Sequence, residues 1–109
     1  MFTVIVTLDV VPAHIEEFIE LIAANARRSV ANEPGCIRFD VSRSVEVDNR
    51  FFLYESYVDE AAFRFEHKGS DHFADFVARS TGIVIPGTKT EVYAALITEK
   101  KKSNVHVTH

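Results

Sequence analysis

The sequence predicts a single α+β domain in which strands and helical segments follow one another in the order βαββαβ. Two observations lead to this prediction. Apolar residues alternate with a period of two in four segments, which is typical of strands, and they recur at helical spacing in the two regions between. The chain has 109 residues, of which 47% are hydrophobic, so it can fill one core.

The first strand and helix are predicted from the amino-terminal third of the chain. Residues 1–11 (MFTVIVTLDVV) alternate and are rich in β-branched side chains, which favours a strand. Pro12 suits the first turn of a helix. Apolar residues then recur at helical spacing from Ile15 until NEPG, at residues 32–35, ends the pattern.

The second and third strands form a predicted hairpin. Residues 36–45 alternate again, and VDN at residues 47–49 supplies a turn. NRFFLYESY, at residues 49–57, is the strand that returns. It carries aromatic rings on both faces, since Phe52 and Tyr54 point away from their odd-numbered neighbours.

The last third of the chain completes the order of elements. Asp59 can cap a helical segment that Gly69 interrupts, and Ser70 can cap the next one. Residues 81–87 form a connection, and residues 88–98 alternate well enough for a fourth strand. This order is that of the ferredoxin-like split unit.

A ferredoxin-like domain covers one sheet face with its helices and leaves the other face open. Strands one, three and four place large apolar groups on both faces, and an exposed apolar patch of that size marks an interface. We therefore expect two sheets to pack face to face in a homodimer. We expect the domain to cover residues 1–98 and residues 99–109 to form a polar tail.

Composition excludes several classes of protein. Twelve basic and sixteen acidic residues give a net charge of −4, which argues against a nucleic-acid partner. The aromatic third strand invites comparison with RNA-recognition modules, but Phe51 stands where their motif has glycine. No apolar run approaches the roughly 18 residues that span a bilayer, so no membrane partner is expected. One cysteine, Cys36, fits a reducing, cytoplasmic setting.

Two polar residues fall on the predicted buried stripe of the first helix. Asn25 and Ser29 lie one turn apart on the side that faces the sheet. Unpaired polar groups are costly there. Either these side chains satisfy local backbone groups, or they line a cavity and offer hydrogen bonds to a ligand.

Two histidines are candidates for chemistry in the second helical region. His67 follows Phe63 by four residues and shares its inward side, where it is either a satisfied core residue or a catalyst. For His72 the simplest partners are Asp71 and Asp75. The spacing of five turns the two histidines to different sides of a helix, so no metal site is predicted.

The third strand offers two further polar candidates, Tyr54 and Glu55. They lie on opposite faces, so both cannot enter one pocket. We expect Tyr54, on the face of Phe52, to be the hydrogen-bonding group, with a dimer contact as its alternative role.

Three segments in this order resemble the antibiotic biosynthesis monooxygenase superfamily: EPGCIRFDV at residues 33–41, NRFFLYESYVDEAAF at residues 49–63 and HKGSDHF at residues 67–73. The resemblance runs from about residue 2 to residue 97. It implies a dimeric α+β barrel with a cavity between helices and sheet in each subunit. Quinol and anthrone monooxygenases of this kind use neither metal nor flavin, because the deprotonated substrate reduces O₂ directly.

The resemblance therefore implies a cofactor-independent oxidoreductase that acts on a small quinol-like or anthrone-like substrate through a carbanion. His67 would be the general base, with Tyr54 and Asn25 stabilising the anion. The predicted substrate-binding residues are Phe39, Phe52, Ser29, His72, Phe73 and Lys68.

Three alternatives are weighed against this activity. An isomerase that degrades the phosphorylated autoinducer-2 signal resembles the chain closely in RFDV, NRFFLYESY and HKGSDHF, and its phosphate would need Lys68, Arg27 or Arg28. A ligand-binding module without turnover would use the same cavity. Haem-degrading relatives carry an asparagine on the first strand and a tryptophan in the second helical region. In this sequence Val6 stands at the position of that asparagine and there is no tryptophan, so haem degradation is disfavoured.

Overall fold

The computed structural model describes residues 1–98, so the predicted tail at residues 99–109 lies outside the described residues. A four-stranded antiparallel sheet has the strand order β2-β3-β1-β4. The elements are β1 (Phe2–Asp9), α1 (Ile15–Asn32), β2 (Cys36–Arg43), β3 (Arg50–Tyr57), a π-helix (Ala62–His67), α2 (Asp71–Ser80) and β4 (Thr90–Ala95). Within this part of the chain, no helix combines the length and apolar character needed to cross a membrane.

The predicted α+β class and the predicted order of elements are confirmed, while three boundaries differ. Pro12–His14 forms a short 3₁₀ turn before α1. The helix capped by Asp59 is a π-helix rather than an α-helix. β4 begins at Thr90 because the backbone N–H of Asp9 donates to the hydroxyl of Thr88, at 3.1 Å, instead of to a strand carbonyl.

The core lies between the sheet and the helices. Odd-numbered residues of β3 face the helices, among them Phe51, Leu53 and Tyr57, which are at most 5% exposed. Phe18 of α1 packs against Phe51 with ring centroids 4.9 Å apart. Val4 of β1 is fully buried on the same face. This layer fixes which β3 side chains can reach a cavity beneath the helices.

The opposite sheet face carries an apolar patch in the described chain. Ile5, Phe52 and Val92 are 37%, 39% and 54% exposed, respectively. The strand register places Ile5 opposite Tyr54 on one side and opposite Val92 on the other. The guanidinium of Arg38 lies 6.0 Å from the centre of the Tyr54 ring on this face.

Gly35 allows the start of β2 to pass against the π-helix. A Cβ at position 35 would lie 2.5 Å from the Cβ of Ala62, which is far inside van der Waals contact. Both residues are buried. The close approach holds the π-helix, and therefore His67 at its end, against the sheet.

We expect Gly35→Ala to lower the free energy of unfolding by about 1–3 kcal/mol because it overpacks this contact. We then combine Gly35→Ala with Ala62→Gly and measure unfolding in denaturant. The double variant should lose less unfolding free energy than the two single variants lose together, by about 0.5 kcal/mol or more. Strict additivity would show that another contact explains the loss.

Candidate functional site

A cavity of about 320 Å³ lies between the helices and the sheet, within the size range of small-ligand pockets. Its walls are mainly apolar and include Val6, Leu53, Phe39, Phe63, Phe73 and Phe76. Its polar lining residues include Asn25, Glu55, His67, Lys68, Lys89 and Glu91. A mainly apolar cavity with a few polar and charged groups suits a compact ligand that carries some charge.

The π-helix places His67 in this cavity. The backbone N–H of Lys68 donates to the carbonyl of Phe63, five residues earlier, at 3.2 Å. The wider turn leaves the His67 ring stacked on that of Phe63, with centroids 6.0 Å apart. His67 is only 2% exposed, so its inward position is confirmed.

A change of direction at Gly69 then brings His72 towards His67. A Cβ at position 69 would lie 2.5 Å from the carbonyl oxygen of Phe65, so only glycine fits. Ser70 caps α2 by accepting a hydrogen bond from the backbone N–H of Phe73, as predicted. The two histidine rings are 6.1 Å apart. The prediction that they face different sides is wrong because the spacing argument placed both histidines on one α-helix, although Gly69 was expected to interrupt it.

Both histidines contact Glu33, at the end of α1. The Glu33 Oε2 atom lies 2.9 Å from His67 Nδ1 and also forms a short contact with His72 Nε2. Glu33 is 6% exposed. A carboxylate oxygen accepts hydrogen bonds, so this contact favours the tautomer of His67 that carries its proton on Nδ1. The Nε2 atom of His67 is then unprotonated and able to act as a base.

The neighbour of His67 Nε2 is Glu55, on the inward face of β3. Its Oε1 atom lies 4.0 Å from Nε2 and accepts a 2.6 Å hydrogen bond from the hydroxyl of Tyr57. Burial raises the pKa of Glu55 to about 7, in spite of the hydrogen bond from Tyr57, and the negative charge of Glu91 adds to the rise. Near neutral pH this carboxyl can either take or give a proton.

Burial also acts on the histidine. It lowers the pKa of His67 below its ordinary value, and the hydrogen bond with Glu33 only partly opposes that effect. The imidazole is therefore neutral at pH 7. A neutral imidazole beside a carboxyl of pKa about 7 forms a pair that can exchange protons with one substrate.

Hydrogen-bonding and charged groups complete the lining. Asn25 is 4% exposed, and its Oδ1 atom has no hydrogen-bond partner among residues 1–98. The ammonium groups of Lys68 and Lys89 contribute positive charge to the cavity wall, and Lys89 Nζ lies 3.6 Å from a carboxylate oxygen of Glu91. An oxyanion or a phosphate would find partners here.

The structure brings five of the predicted site residues together in the cavity: His67, Asn25, Phe39, Phe73 and Lys68. Tyr54 and Phe52 do not join them. Their placement is corrected, because β3 directs even-numbered side chains to the other sheet face.

Two further predicted residues, Ser29 and His72, lie outside the cavity lining. Ser29 donates to the carbonyl of Asn25 at 2.8 Å, which is the local alternative, and its hydroxyl also lies 3.4 Å from His67 Nδ1. His72 contacts Glu33 instead of a nearby aspartate. Neither residue lines the cavity.

Sequence reasoning missed Glu33 and Lys89, and it set Glu55 aside in favour of Tyr54. The signal for Glu55 was present, since it stands in phase with Leu53 and Tyr57 on the buried face of β3. A carboxylate in an apolar phase is costly unless it has a function or a partner. Glu33 gave no periodic signal because it follows the end of α1.

Known proteins similar to this chain were found by sequence and by structure. The isomerase of (4S)-4-hydroxy-5-phosphonooxypentane-2,3-dione from Yersinia enterocolitica is 34% identical over 97 residues, covering 89% of this chain and 99% of the relative. The enzyme of that name from Escherichia coli is 35% identical with the same coverage.

Solved structures agree in fold. A candidate antibiotic biosynthesis monooxygenase from Nitrosomonas europaea superimposes with a TM-score of 0.81 at 27% identity, covering 89% of this chain and 99% of that one. One from Caulobacter crescentus gives 0.81 at 28% identity, covering 88% and 89%. The family model of antibiotic biosynthesis monooxygenases matches residues 1–79. The chain therefore belongs to the antibiotic biosynthesis monooxygenase family.

Proposed function

We propose that this protein is an isomerase that moves a carbonyl group along a small phosphorylated α-hydroxy ketone by proton transfer. The observation that carries the proposal is the pair formed by His67 and Glu55, 4.0 Å apart at the wall of a mainly apolar cavity. The relatives named as isomerases of a phosphorylated hydroxy-dione support it. Their activity takes precedence here over the monooxygenase that the sequence favoured.

The substrate class defines the chemistry that the site must perform. A carbon that bears both a hydroxyl and a hydrogen, next to a carbonyl, loses its C–H proton to a base and forms an enediolate. His67 Nε2 is the base because its other nitrogen is bound to Glu33. Reprotonation at the former carbonyl carbon, with loss of the hydroxyl proton from its neighbour, completes an isomerisation in which no atom or electron is gained or lost.

Glu55 serves the second proton transfer. Its pKa of about 7 keeps both protonation states populated near neutral pH, so it can return a proton to the neighbouring carbon or oxygen. Tyr57 orients this carboxyl through its 2.6 Å hydrogen bond. Asn25 lines the same cavity, where its amide N–H groups would donate to the enediolate oxygen and its unpaired Oδ1 atom would accept from a substrate hydroxyl.

The positive side chains at the cavity wall suit the phosphate group. Lys68 and Lys89 both line the cavity, and a phosphate would compete with Glu91 for Lys89. Arg28, a candidate from the sequence, instead pairs with Asp75 at 3.7 Å beside a different depression. We therefore assign phosphate binding to the two lysines.

A second candidate function is the cofactor-independent monooxygenase. The structures at 27% and 28% identity that are described as candidate monooxygenases favour it. The first step would be the same removal of a proton by His67. The carbanion would then reduce O₂ instead of being reprotonated, and the substrate would be an electron-rich ring without phosphate.

We expect His67→Ala to lower kcat for the isomerisation of the phosphorylated hydroxy-dione by at least about 100-fold, because the general base is lost. The reaction is followed anaerobically by NMR. Tyr54→Phe, on the opposite sheet face, is the matched control and should retain wild-type activity. Turnover that needs O₂, or turnover that survives His67→Ala, would contradict the proposal.

The raised pKa of Glu55 predicts how the free energy of unfolding depends on pH. Because its folded-state pKa is raised from 4.5 to about 7, its contribution is present at low pH and is lost as pH rises from about 4.5 through 7. Glu55→Gln removes this loss, so its stability relative to wild type should increase by about 2–4 kcal/mol between pH 4.5 and pH 8. Urea titrations across this range measure the difference, and a constant difference would place the Glu55 pKa near its ordinary value.

We also propose that a second copy of the chain covers the open sheet face. The exposed apolar side chains of Ile5, Phe52 and Val92 lie on adjacent strands and form one patch. Two identical sheets related by a two-fold axis can pack this patch against its own copy. The dimer would thus keep water off the sheet without contributing to the chemistry of the cavity.

We expect light scattering to give twice the chain mass for the wild type, and Phe52→Lys with Val92→Lys to shift the protein to monomers. Val45→Lys is the control, because Val45 is fully exposed in the turn between β2 and β3. A wild type that is monomeric at micromolar concentration would contradict the dimer.

A further inference from the structure

We propose that Glu33, His67 and His72 form a binding site for a divalent transition-metal ion of the Zn²⁺ type. Each residue offers one ligand atom, and these atoms all lie within 4.8 Å of one another. Two imidazole nitrogens and one carboxylate oxygen are a donor set that zinc accepts, with a fourth position left for water. Glu33 follows the end of α1, His67 ends the π-helix and His72 lies in α2, so the site is formed only by the folded chain.

A second observation at the same place points to a ligand. The Oε1 atom of Glu33 is buried and has no hydrogen-bond partner among residues 1–98. A buried carboxylate oxygen without a partner is unfavourable. An ion held by this carboxylate would place a positive charge beside its unpaired oxygen.

The site also has its own route to solvent. A surface depression beside it is lined by Asn32, Pro34, Glu66, Gly69, Asp71 and the two ligands Glu33 and His72. None of these residues lines the substrate cavity, so an ion can enter without passing through it. His67 is the residue that connects the two places, with Nδ1 towards Glu33 and Nε2 towards Glu55.

Metal binding would change the role of His67, an implication that rests on the proposed function, whereas binding itself does not. A metal binds Nδ1 only when that nitrogen is unprotonated, so the ring proton moves from Nδ1 to Nε2 as the ion binds. His72 binds through Nε2, with its ring proton on Nδ1. His67 then presents an N–H donor to the cavity instead of a base, and the proposed proton abstraction stops. The ion would act as a reversible inhibitor.

The binding test uses the full chain in a His14→Gln, His106→Gln, His109→Gln background, which removes the other three histidines of the sequence. Zn²⁺ binding is measured by equilibrium dialysis with elemental analysis, and Co²⁺ by its visible absorption. We expect one ion per chain and a Zn²⁺-dependent rise in Tm. His72→Gln and Glu33→Gln should each weaken binding at least about 10-fold, whereas Asp71→Asn, in the same depression, should not.

Several results would overturn the proposal. They are the absence of stoichiometric binding, binding that persists in both ligand variants, and a loss of binding that the unliganded Tm of the variants traces to unfolding in both. The conservative variants Glu33→Asp and His72→Asn, measured in the same way, give a second chance to separate ligation from folding. Binding by a chain that lacks isomerase activity in every form would sink the proposed function and leave the metal site standing.

Discussion

A carboxylate withdrawn from water at the end of α1 organises the rest of the site. Glu33 must find hydrogen-bond donors or a cation where solvent cannot serve it. It finds imidazole nitrogens from two different helical segments. That requirement explains why the π-helix and α2 meet at this point, and it fixes which nitrogen of His67 faces the cavity.

Two buried glutamates therefore have opposite roles because their surroundings differ. Glu33 is held by two imidazoles and acts on the tautomer of His67. Among residues 1–98, Glu55 has only the hydroxyl of Tyr57 as a hydrogen-bond partner, and burial with the nearby charge of Glu91 raises its pKa to about 7. One carboxylate positions the base, and the other is able to move protons. The apolar walls around them strengthen each of these interactions by excluding water.

Much of the fold could be predicted from local pattern, since period-two alternation and helical spacing identify elements directly. The same periodicity placed Asn25, Phe39 and His67 correctly. The choice between Tyr54 and Glu55 was wrong. Tyr54 was preferred as the polar group of the cavity, although Glu55 is in phase with the buried residues of β3. The sequence indicated the interruption at Gly69, but the convergence of His67 and His72 could not be predicted, because the π-helix before it has no sequence period that distinguishes it from an α-helix.

The proposed isomerisation depends on the tautomer of His67, and ¹⁵N NMR of the imidazole nitrogens measures it directly. Comparison with the spectrum of His67→Gln assigns the signals. At pH 7 and without metal, we predict a neutral His67 ring with the proton on Nδ1 and an unprotonated Nε2. A proton on Nε2 with Nδ1 bare, or a doubly protonated ring, would contradict this prediction.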